Sequence, residues 1–219
     1  MTGLVIGSLT PDFEYFMRMK VQSIYSHTLL GVFWFDLPLA IALAFIFHSI
    51  VRNSLFLNLP KAIRKRFYSF TGFNWNFYFK KNWFTILISI LIGIFSHLFW
   101  DSFTHEHGYF VNHIPDLSRS ITISEKKIFV WKTLQHLSTF IGGFFIFLAL
   151  FKLPKNSVHT NSINKKYWII LSISVVVILI FRFSFSFEIK AFGNIIVSII
   201  SAVLASLTLT PLIIKSKVN

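Results

Sequence analysis

Apolar residues along this chain collect into long runs separated by short polar stretches, most of them basic. The first run extends from Thr28 to Val51, interrupted by Asp36 and Pro38, and the second from Trp83 to Trp100. A third runs from about Phe129 to Phe151, a fourth from Tyr167 to Phe187 and a fifth from Phe192 to Ile214. Crossing ~30 Å of hydrocarbon at about 1.5 Å per residue takes roughly 20 helical residues, so each run predicts one transmembrane helix. The segment Gly3 to Met17 is also apolar but short, and it contains Pro11 and Asp12. It predicts a short amino-terminal helix, partly embedded or re-entrant. Within it, Gly7 to Asp12 has turn chemistry, Pro11 setting the backbone and Asp12 suited to cap the residues after it. The expected fold class is all-α: an integral membrane helical bundle of about five transmembrane helices plus the short amino-terminal one. No internal repeat and no Pro-rich or Gly/Ser-rich linker divides the chain, which reads as one structural domain. In it, residues 1–151 carry the candidate chemistry, and residues 152–219 add two further anchor helices, with Ser and Ala for helix contacts.

Composition agrees with the pattern. Of 219 residues, 54% are hydrophobic and 13% charged, against the roughly 25% charged of a soluble domain. The net charge of +13 would raise nucleic acid as a partner of a soluble protein. Here Lys and Arg lie between the apolar runs, as the cytoplasmic loops of membrane proteins require, so membrane lipid is expected as the partner and nucleic acid is not. The loop between the first two runs holds Arg52, Lys61, Arg64, Lys65, Arg66, Lys80 and Lys81 with no acidic residue, and should be cytoplasmic. The next loop, Asp101 to Ile128, balances Arg119, Lys126 and Lys127 against Asp101, Glu106, Asp116 and Glu125, and should face outward. Lys152, Lys155, Lys165 and Lys166 return the third loop to the basic side. Alternation over five spans puts the amino terminus outside and the carboxyl terminus in the cytoplasm. The start of the chain has no basic segment followed by a long apolar core and a small-residue cleavage site, so no removable signal peptide is expected. Cysteine is absent, which excludes thiolate metal sites and cysteine nucleophiles and leaves His and carboxylate as the metal ligands available.

Those ligand types concentrate in Ser96-His97-Leu98-Phe99-Trp100-Asp101-Ser102-Phe103-Thr104-His105-Glu106-His107. On a helix, His97, Asp101 and His105 are spaced by four and share one face. Zinc and similar divalent ions favour such nitrogen and oxygen donors. The charge-derived topology puts Asp12, His27, His97 and Asp101 on the outer side, with His136 at shallow membrane depth near it. Ionisable groups at such depths are costly and usually functional. His48 and His159 fall on the basic side, outside this set. Asp36, beside Pro38, fits a local backbone hydrogen bond as well as a catalytic role. The bland alternative is an interfacial His with unrelated loop histidines.

The ordered motifs Gly7-Ser8-Leu9-Thr10-Pro11-Asp12-Phe13-Glu14-Tyr15, Tyr25-Ser26-His27-Thr28, Ser96-His97 through Thr104-His105, and Leu134-Gln135-His136-Leu137-Ser138-Thr139 resemble a bacterial membrane family called domain of unknown function 4184. The resemblance covers about Gly3 to Phe151. In motif style it extends to YdjM-type inner-membrane metal-dependent hydrolases, and remotely to zinc phospholipases C and single-strand nucleases. It implies Asp12, His27, His97, Asp101, His105 and His136 as metal ligands, with Zn²⁺ or a similar divalent ion as cofactor. Asp101 and Glu106 are then the candidate catalytic carboxylates, Glu106 as a proton shuttle. Phe140 stands four residues past His136, where the zinc enzymes carry Asp, so a full three-metal cluster is not implied. The expected function is a membrane-embedded, metal-dependent hydrolase acting on a phosphoester or lipid-linked substrate at the outer face. The alternatives are a non-enzymatic membrane protein, a transporter or assembly factor handling metal ions or protons, and a metal site that only staples the outer loop to two spans.

Overall fold

The computed structural model describes residues 1–123, 126–156, 164–185 and 192–215. Glu125, His159, Phe187, Glu188 and Lys190 lie outside the described residues. Five helices are long and apolar enough to cross a membrane: Leu29–Asn58, Trp75–His113, Val130–Lys152, Lys165–Ser184 and Phe192–Ile214. Each overlaps one of the five apolar runs, because the pattern that hides backbone polar groups from lipid is a continuous helix, although the first extends past Val51 to Asn58 and the second overruns Trp83 to Trp100 at both ends. The chain divides into two compact units, one of Met1–Ile94 with Lys155–Asn219 and the other of Phe95–Pro154.

In the first unit, α1 (Thr2–Arg18) is a continuous α-helix that includes Pro11 and Asp12. This corrects the expected turn at Gly7–Asp12: the segment lies inside the helix, not at its start. Tertiary packing overrides the local signal: Gly7, Thr10 and Pro11 are all buried, and a Cβ on Gly7 would run into the backbone of Ile90. The facing helix α4 (Trp75–Thr104) answers with Gly93, where a Cβ would meet the Leu4 carbonyl and the Ser8 amide. Two helix backbones thus touch without side chains between them, the device by which small residues bring membrane helices together. Met19 ends α1 in the left-handed conformation, φ 51°. Its carbonyl accepts hydrogen bonds from Arg182 Nη2 and Ser198 Oγ, both at 3.1 Å.

Helix α2 (Leu29–Asn58) contains two π-helical turns, Val32–Asp36 and Phe47–Val51. The first absorbs Pro38, which has no N–H to donate, by letting the Leu37 N–H bond to Val32 O five residues back. Asp36 is wholly buried there. After the short α3 (Lys61–Phe67), α4 begins at Trp75 and bends at Asn82, whose φ of −125° is non-helical. Near the end of the chain α8 (Lys165–Ser184) and α9 (Phe192–Lys215) pair with each other, and α9 also packs on α1 and on the second π-turn of α2.

The second unit holds the last turns of α4, the short helices α5 (Tyr109–His113) and α6 (Pro115–Ser118), and α7 (Val130–Lys152). Strands β1 (Ser120–Ile123) and β2 (Lys126–Phe129) form an antiparallel hairpin pairing Ser120 with Phe129. The hairpin is the one departure from an all-helical chain among the described residues. Phe103 stacks on Phe110 at 4.1 Å, which folds α5 back onto the end of α4.

Candidate functional site

In the first unit the groups of interest gather where α1 hands over to α2. Glu14, 2% exposed, points from α1 into the returning loop. Its carboxylate accepts hydrogen bonds from the backbone N–H groups of Ile24, Tyr25 and Ser26 at 2.8–2.9 Å and from Arg18 Nε at 2.8 Å. Burial by itself would raise its pKa, but these donors outweigh burial and hold it at about 2. The loop so pinned delivers His27, whose φ of 63° is in the left-handed region. A non-glycine residue pays strain there, and such strain persists only where the surroundings over-determine it. The Ser26 and Ser23 hydroxyls lie 3.0 and 3.3 Å from His27 Nδ1, and the Tyr15 ring stacks on the imidazole at 5.7 Å. His27 Nε2 then stands 3.9 Å from Asp12 Oδ1, beyond hydrogen-bond reach. Thr28 comes next as the N-cap of α2, accepting from the Gly31 N–H at 2.9 Å.

In the second unit the helical period does what the sequence suggested. Helix α4 runs on to Thr104, and the His105 N–H still bonds to the Asp101 carbonyl at 3.1 Å. His97, Asp101 and His105 therefore stand on one helical face. His97 Nε2 is 3.1 Å from Asp101 Oδ2, and His105 Nδ1 is 3.4 Å from Asp101 Oδ1. The carboxylate thus offers one oxygen to each imidazole, and its side chain is 17% exposed. Gln135 Nε2, from α7, lies 3.4 Å from His105 Nε2, while the Trp100 indole donates to Ser138 Oγ at 3.3 Å, tying α7 to α4. His136, next to Gln135, is exposed, and its side chain makes no hydrogen bond or ion pair among the described residues. Glu106 is exposed in the turn after α4.

Two ligands about 2.0–2.1 Å from a tetrahedral zinc ion lie about 3.3 Å from each other. The 3.1 and 3.4 Å separations around Asp101 bracket that value pair by pair, but they use different carboxylate oxygens, and the three side chains do not bring one donor each within 4.8 Å of one another, so each pair could share an ion while the row by itself is not a three-ligand centre. They equally suit a metal-free row in which the carboxylate orients two imidazoles.

Sequence reasoning attached no role to Glu14, Tyr15, Ser23 or Gln135. Glu14 and Tyr15 stand in the Gly7–Tyr15 motif and Gln135 in the Leu134–Thr139 motif, but their partners lie on other segments. His48 belongs to a different cluster, with Arg52, Thr2 and Trp75. A family model described as "Domain of unknown function (DUF4184)" matches residues 1–212. Among curated proteins and solved structures, none matches the chain.

Proposed function

The chain belongs to the DUF4184 family, a domain of unknown function, and from that premise we propose that it is a membrane-embedded, metal-dependent hydrolase acting on a phosphoester or lipid-linked substrate. The observation that carries this reading is Asp101, a half-buried carboxylate with His97 one helical turn before it and His105 one turn after. A divalent ion such as Zn²⁺ held there would lower the pKa of a bound water toward ~7 and polarise a phosphoryl oxygen. Asp101 serves as ligand, His97 and His105 as its imidazole partners, and exposed Glu106 as the group that carries protons to solvent. Asp12, His27 and His136 remain the further ligands that the family resemblance implies. The reading includes a bacterial cytoplasmic membrane, which the family resemblance implies, and an amino terminus outside, which rests on loop charge. The His–Asp–His row also supports a second reading, a non-enzymatic protein that moves protons or metal ions through the same residues.

Metal analysis of the purified protein, together with hydrolysis of a chromogenic phosphodiester and of phospholipid in mixed micelles, tests the proposal. Bound zinc and chelator-sensitive turnover are expected, with Asp101→Ala and His97→Ala each lowering turnover by at least about 100-fold. His27→Ala reads the amino-terminal pair separately, through metal content. Turnover that survives in Asp101→Ala or ignores chelator excludes a catalytic metal at this carboxylate. Bound metal with no turnover on either substrate would favour the second reading.

A further inference from the structure

A cavity of about 530 Å³ opens in the first unit beside the second π-turn of α2. One wall is aromatic, including Phe56, Phe67, Phe70, Phe73 and Trp75, and against it stand His48 and Arg52. Arg52 is 5% exposed, and among the described residues no carboxylate forms an ion pair with it. Its partners are Asn53 Oδ1 at 2.9 Å, His48 Nδ1 at 2.9 Å and the Thr71 carbonyl at 3.4 Å. A guanidinium has five N–H donors and accepts nothing, so these bonds leave two unused. Because Arg52 can only donate, His48 must accept through Nδ1 and is the neutral tautomer, with Nε2–H directed at Thr2 Oγ1, 3.3 Å away. Trp75 holds that ring in place, stacked at 4.4 Å and 5°, and its own buried indole N–H has no acceptor among the described residues. The cluster is thus a buried cation with spare donors and no anion.

A buried charge left without a counter-ion is expensive. The cavity also lies near the carboxyl end of the Leu29–Asn58 span, next to a loop with six further Lys and Arg and no acidic residue. We propose that this cavity binds one anionic phospholipid, its phosphate on Arg52 and the Trp75 N–H and the start of its acyl chains along the phenylalanine wall. Membrane lipid is the source because the cavity joins a cationic donor set to an apolar wall at the end of a membrane-spanning helix. A free phosphate would use the donors and leave the wall idle. The site shares no residue with the His97–Asp101–His105 row and does not depend on the hydrolase reading.

Native mass spectrometry of the purified protein titrated with phosphatidylglycerol or phosphatidylcholine tests this, with inorganic phosphate as competitor. Both lipids bring a phosphate, but only phosphatidylcholine brings a quaternary ammonium close to the Arg52 cation, so the intact protein should retain the anionic lipid about tenfold better than the zwitterionic one. Arg52→Gln should bring that ratio close to one while helical circular dichroism is unchanged. Thr85→Trp narrows the cavity from its exposed rim and leaves Arg52 intact. It should lower retention as well, and it stands in if Arg52→Gln does not fold. A Lys61→Gln, Lys65→Gln double substitution should keep most of the preference. Equal retention of both lipids by the intact protein, loss of preference only in the lysine variant, or displacement of lipid by inorganic phosphate alone would each overturn the proposal.

Discussion

At the scale of single residues, Glu14 ties a loop to α1 through three backbone N–H groups although nothing in its sequence position marks that role. Its folded pKa of about 2 lies below the 4.5 of an unperturbed glutamate, so the charged form is the one the fold prefers. A depressed carboxylate contributes stability that is complete above about 4.5 and disappears as the pH falls through about 2. Glu14→Gln replaces acceptors facing three backbone N–H groups with a half-donor amide. It should lower stability by about 2–3 kcal/mol at neutral pH. Thermal unfolding in detergent followed across that range should show the wild-type advantage shrinking as the pH drops below 4.5. A constant difference at all pH values would mean that the carboxylate is not the group responsible. The same substitution should reduce metal binding at His27, if that residue is a ligand, because the loop presenting it is held by Glu14.

At the scale of elements, the contact between α1 and α4 depends on two positions that carry no side chain. Gly93→Leu must displace backbone, the Leu4 carbonyl and the Ser8 amide, and should cost about 1–3 kcal/mol. Gly142, in α7, has nothing within 4 Å of where a Cβ would stand. Gly142→Leu should therefore be neutral, or stabilising by up to about 1 kcal/mol through helix propensity. Comparing the temperatures at which the two variants lose monodispersity checks the contrast, and equal behaviour would remove the close-approach explanation. The elements also mark where local signals mislead. Pro11 and Asp12 carry turn chemistry, yet the helix continues through them because Gly7, Thr10 and Pro11 are buried in packing contacts. Pro38, an interruption in the apolar pattern, is accommodated by a π-turn inside one continuous span.

At the scale of the whole molecule, the loop charges make a prediction independent of any site. A reporter fused within Asn53 to Asn82 should behave as cytoplasmic and one within Asn112 to Ser124 as external. Both on one side, or the pair reversed, would remove the orientation on which an outward-facing site rests. The number and approximate positions of the spanning helices were legible in the sequence alone, because lipid demands about 20 consecutive apolar residues with every backbone group bonded inside the helix, whereas their limits were not: α4, Trp75–Thr104, overruns Trp83 to Trp100 at both ends. The row His97, Asp101 and His105 was legible for a related reason: spacing by four is a property of one helix and needs no partner. What the sequence could not determine depends on groups that meet across long stretches of chain. The donors to Glu14 are backbone N–H groups 10–12 residues ahead, brought round by a reversal that no residue type encodes. The His48–Arg52 pair has the spacing of an ordinary solvated helix face. Only packing against Trp75 and the phenylalanines of the following segments buries it and turns a basic residue near a helix end into an enclosed cation. Periodicity along one element is written locally, whereas burial and charge balance are set by which elements come together, so those only the tertiary structure decided.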